Sequence, residues 1–74
     1  MRVVLIPTEA LSPRGQMERV FVAGEGNLAV LRLVRTGGVR GARTEVLSGL
    51  DEGERVVLAP PASLQEGQSL EVQP

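Results

Sequence analysis

The chain has 74 residues, with eight arginines, no lysine, nine acidic residues and a net charge of −1. At this length it forms one domain at most, which buries about 60% of its unfolded surface, and its 42% apolar content suits a folded domain rather than a disordered tail. The near-neutral charge and the lack of Trp and Tyr exclude the basic stripe and stacking platform of a nucleic-acid binder, and the lack of Cys excludes disulfides and thiol chemistry.

No apolar run approaches the roughly 20 residues of a membrane-spanning helix, and the N-terminus lacks a signal-peptide layout. Phe21 is the one aromatic residue, so the core must be aliphatic. The chain opens directly into the strand-like run Arg-Val-Val-Leu-Ile at residues 2–6. It therefore reads as one β domain over residues 1–74, a C-terminal portion of a longer protein.

Pro7 closes that first strand, since it has no N–H for a ladder. Thr8 is placed to cap the single turn that residues 8–11 can form, and Ser12-Pro13 blocks a longer helix. Ser12-Pro13-Arg14-Gly15 has the residue order of a β-turn. Residues 18–23, Glu-Arg-Val-Phe-Val-Ala, predict the second strand. Gly24, Gly26 and Asn27 then supply a turn that tolerates positive φ.

Residues 27–36 predict the third strand, paired with the second as a hairpin. Its alternation places Val30, Arg32 and Val34 on one face and Leu31, Leu33 and Arg35 on the other, which does not decide the buried face. The Gly37–Arg43 segment, Gly-Gly-Val-Arg-Gly-Ala-Arg, reads as an exposed loop. Residues 44–49 predict the fourth strand, with Val46 inward and Glu45 outward.

The next stretch is a repeated phrase. Leu-Asp-Glu-Gly-Glu-Arg-Val-Val-Leu at 50–58 and Leu-Gln-Glu-Gly-Gln-Ser-Leu-Glu-Val at 64–72 share one pattern. The leading Leu anchors a turn, and the Gly (Gly53, Gly67) takes a left-handed conformation that a Cβ would penalise. Alternate aliphatics then enter the next strand: Val56 and Leu58, then Leu70 and Val72. Pro60 and Pro61 separate the copies as a stiff connector. The sum is an all-β fold, a small antiparallel β-roll or β-barrel-like domain of five or six short strands.

Little of the chain can do chemistry. With no His, Cys or Tyr, a Ser nucleophile has no ordinary base. Asp51, Glu52 and Glu54 are candidates for acid–base work or a hard cation, but three like charges so close read more simply as a solvated turn. The glycine-rich stretches lack phosphate-loop spacing and lead into no helix. Met17 alone cannot build a soft-metal site and reads as a buried or half-buried strand residue. No cofactor is expected. Arg14 in the first turn and Arg40 and Arg43 in the long loop are the partner-binding candidates, because the guanidinium fork suits carboxylates at interfaces.

The order of segments resembles the C-terminal end of the periplasmic adaptor subunits (membrane fusion proteins, HlyD-like) of RND-type efflux pumps. The resemblance runs through Pro7, Ala10 and Leu11, then Gly15, Val20, Phe21 and Val22, then Arg32, Val34 and Gly37. It closes with Val46, Gly49, Leu50, Gly53, Val56 and Val57. It implies a non-catalytic, membrane-proximal β-roll in a periplasmic protein associated with the inner membrane. Its implied partners are an inner-membrane RND-type transporter, other adaptor protomers in a ring of six, and an outer-membrane channel reached through other domains. The competing readings are a free-standing small β-barrel that binds a ligand or protein, and an enzyme fragment using the acids at 51–54.

Overall fold

The computed structural model describes residues 3–71. Five strands form two antiparallel sheets: β1 (Val4–Pro7), β2 (Arg19–Ala23), β3 (Ala29–Leu33), β4 (Arg35–Arg40) and β5 (Arg43–Ser48). One sheet has the order β1-β5-β4, and the other is the β2-β3 hairpin. Among the described residues the only helical elements are two 3-10 turns, Thr8–Ala10 and Glu25–Asn27. The fold is the expected all-β roll, and it is not a closed barrel.

β-branched residues explain the best-defined strands, since they fit a pleated, half-buried surface. Val20 and Val22 of β2 point at Ile6 of β1 and Val46 of β5, with Ala10 beside them. These five buried residues join the two sheets, and Val4, Leu11, Val30, Val34, Leu50 and Val56 pack around them. Val46 faces inward while Glu45 is only half-buried, as the alternation predicts.

β3 resolves the ambiguity of its own sequence. Val30 and Val34 face the core, while Leu33 is exposed. Arg32 lies on the core side because Glu54 neutralises it. Its Nη1 and Nη2 donate to the two carboxylate oxygens at 3.0 and 2.6 Å.

Several expectations are corrected. The run 27–36 is not one strand. It breaks at Val34, whose N–H donates to the Glu18 carbonyl at 3.0 Å, and the chain crosses there from one sheet to the other. Gly49 packs against this corner with φ +98°, and a Cβ there would stand 2.4 Å from the Leu33 carbonyl.

Residues 37–40 are not loop either. They belong to β4, which pairs with β5 through irregular register steps at Arg35/Thr36 and Thr36/Val39. Pairing with a strong β-branched neighbour overrides the low strand propensity of Gly37 and Gly38. Thr8 does not cap its turn; its Oγ1 instead bonds Thr44 Oγ1 at 2.7 Å. Met17 is exposed, because it closes a surface turn instead of lying within a strand.

The repeated phrase behaves as a pair of strand-entry devices. Gly53 and Gly67 hold φ +87° and +90°. After the first copy, residues 55–57 line the edge of β2: Ala23 N–H donates to Arg55 O, and Val57 N–H to Phe21 O. After the second, residues 67–70 line the edge of β3: Gly67 N–H donates to Ala29 O, and Leu70 N–H to Asn27 O. The copies therefore flank the hairpin on opposite sides. The pairing is sparse, with one bridge on each side, at Val56 and Ser69. Leu58 does not enter the core and is exposed, since Pro60 and Pro61 end the pairing. Leu70 is half-buried, and Val72 lies outside the described residues.

Candidate docking surface

The three candidate arginines fall in two places. Arg40 and Arg43 are direct cross-strand neighbours at the end of the β4–β5 hairpin. The tip between them is only Gly41-Ala42, and Gly41 at the first central position has φ +60°, as two-residue hairpin turns of the Gly-X kind require. The predicted seven-residue loop is therefore a paired ribbon with a tight end. Arg14 sits in a separate turn, in which Arg14 and Met17 exchange both backbone hydrogen bonds at 2.9 and 3.0 Å. The tight turn is thus 14–17, two residues later than the Ser12–Gly15 turn expected from sequence.

The hairpin tip is anchored at its base. Thr8 N–H donates to the Ala42 carbonyl at 2.9 Å, and Pro7 lies opposite Arg43 in the β1–β5 register. Arg40 Nη2 is 2.6 Å from Glu45 Oε2, but the Arg40 side chain is 70% exposed. The Glu45 side chain is only 17% exposed and also accepts the Gly38 N–H at 2.9 Å, so Glu45 is held by the ribbon while the Arg40 guanidinium remains open to solvent. Beside the tip, Pro7, Thr8, Glu9, Val39, Gly41 and Ala42 line a shallow depression of about 390 Å³. Val39 is 67% exposed and pairs with Thr44, so it lies on the face of the tip opposite Arg40 and Arg43.

Two arginines that are not partner candidates are tied into the fold. Arg19 is 8% exposed. Its Nε donates to the Ser12 carbonyl at 2.9 Å and its Nη2 to Ser12 Oγ at 3.1 Å. Its guanidinium carbon stands 5.6 Å from the Phe21 ring centroid, within cation–π range. Arg19 thereby holds the segment that presents Arg14. The signal was present in the sequence as an Arg two positions before the single aromatic, on the same strand face. Arg32 is the other, and its pairing with Glu54 joins residues too distant in sequence to be predicted.

Among the acids at 51–54, Glu54 is already engaged. Glu54 is committed to Arg32, and its Oε1 also accepts the Asp51 N–H at 2.8 Å. Among the described residues, no group of three His, Cys, Asp or Glu is arranged to hold a metal ion. No helix among them is long and apolar enough to cross a membrane.

A family model described as RND MFPs, C-terminal permuted SH3 domain, matches residues 2–61. Searches of curated proteins and of solved structures each return no significant match.

Proposed function

Because the chain belongs to the C-terminal permuted SH3 domain family of RND membrane fusion proteins, the adaptors of efflux pumps, we propose that it is the membrane-proximal domain of a longer adaptor and docks on an inner-membrane RND-type transporter. Family membership implies a periplasmic, membrane-associated setting and a non-catalytic role. The docking surface in this reading is the β4–β5 tip. The observation that carries it is the side-by-side placement of Arg40 and Arg43 on a short, anchored, exposed hairpin. Two exposed guanidinium groups on one face of the ribbon fit a partner surface of carboxylates. Arg14, on its own turn, adds a second point of contact. Other adaptor protomers are further partners in a ring, and the outer-membrane channel is reached through other domains.

The test is Arg40→Glu/Arg43→Glu in the full adaptor, alone and combined with Arg14→Glu, read as resistance to an exported compound. The expected result is a loss of resistance of about tenfold for the pair at unchanged adaptor abundance, with a smaller added loss from Arg14→Glu. Full resistance in the triple variant would place the contact elsewhere.

A further inference from the structure

The family match ends at residue 61, yet the chain beyond it is folded onto the domain. Residues 64–70 run along the outer edge of β3. Gly67 N–H donates to Ala29 O, Ala29 N–H to Gln68 O and Leu70 N–H to Asn27 O, each at 2.8 Å. Leu31 N–H donates to the Glu66 carboxylate at 3.1 Å. This segment nevertheless contributes nothing to the buried core, because every buried side chain among the described residues lies between Ile6 and Val46. Its apolar contribution is two half-buried leucines, Leu64 and Leu70. A segment held by edge hydrogen bonds and two half-buried leucines opens far more cheaply than the core behind it.

The connector to this segment is strained. Ala59 has φ +44°, a left-handed conformation that its Cβ disfavours. The kink is pinned where Ala59 N–H donates to the Glu9 carbonyl at 2.9 Å. Pro60 and Pro61 follow at once, and consecutive prolines favour an extended chain over a folded-back one.

We propose that residues 62–71 are an exchangeable arm, and that a second copy of this chain supplies the same segment to the β3 edge, joining two copies by reciprocal exchange. The occupant follows from the contacts. A bare β3 edge would be a ready template for pairing, and the partner's arm restores the same backbone bonds with the same residues. Exchange also releases the Ala59 kink in both copies, and short strained hinges of this kind promote such swaps.

The experiment uses the whole chain, which has no native cysteine. Leu28 and Ser69 face one another as an antiparallel bridge without exchanged hydrogen bonds between them, a geometry with Cα atoms about 4.5 Å apart and within disulfide range. Leu28→Cys and Ser69→Cys chains are mixed, incubated over a dilution series and oxidised. The expected product is a Leu28→Cys/Ser69→Cys mixed dimer well in excess of either like pair, increasing with concentration. In the doubly substituted chain, the share of intermolecular disulfide should rise in parallel. Ala59→Gly, which removes the strain, should lower the dimer fraction by roughly tenfold. Mixed dimers no commoner than like pairs, or a doubly substituted chain that stays monomeric at every concentration, would overturn the proposal. A dimer fraction unchanged by Ala59→Gly would overturn it too.

Discussion

Gly53 and Gly67 are the residues at which the repeated phrase meets its test, because both hold left-handed φ values near +90° while a Cβ at either would meet no atom within 4 Å. Any destabilisation on substitution must then come from the backbone and not from a clash. Gly53→Val should lower stability by about 1–3 kcal/mol, measured by urea unfolding. Gly67→Val should cost less overall, because the arm behind it can detach. Equal stability of Gly53→Val and the parent would refute the strand-entry account. Arg32 and Glu54 offer a second residue-scale test. Their side chains are 36% and 21% exposed, and the pair is bidentate, so it is stronger than a surface ion pair yet partly screened. A double-mutant cycle with Arg32→Ala and Glu54→Ala should give a coupling of about 1–2 kcal/mol. A value near zero would show that Arg32 lies on the core side of β3 for its aliphatic stem alone.

At the scale of elements, the two flanks of the hairpin differ in what lies behind them. Residues 55–57 back onto the core through Val56, whereas residues 64–70 add no buried side chain. Hydrogen exchange should therefore find the amides of Gly67 and Leu70 exchanging about a hundredfold or more faster than those of Val20 and Val22. Equal protection in both would mean that the arm unfolds only with the whole domain. The same contrast shows what the sequence made legible. β2 and β5 could be read for different reasons: Val20, Phe21 and Val22 form a β-branched and aromatic run buried on both faces, while in β5 Val46 alternates with the half-buried Glu45 and the exposed Leu47. β4 could not, because Gly37, Gly38 and Arg40 have the composition of a loop, and only pairing with β5 makes them a strand. The break at Val34 was hidden for a related reason: the residues on either side favour extended backbone, and the change of sheet is set by Glu18 and Gly49. The arginine tip was half legible. Its charge and exposure followed from composition, but the placement of Arg40 opposite Arg43 comes from register.

For the whole molecule, the two-sheet roll packs Ile6, Ala10, Val20, Val22 and Val46 between its sheets and leaves its charged turns outward. Family membership rests on residues 2–61, and docking through the β4–β5 tip is the central claim built on it. The most direct measurement is site-specific photo-crosslinking in the full adaptor, with a photoreactive residue placed in turn at positions 40, 43, 14 and 58. Position 58 is the control, since Leu58 is exposed and lies outside the tip. The account predicts an adaptor–transporter adduct from 40 and 43, a weaker one from 14, and none from 58. Adducts from 58 without any from 40 or 43 would contradict it.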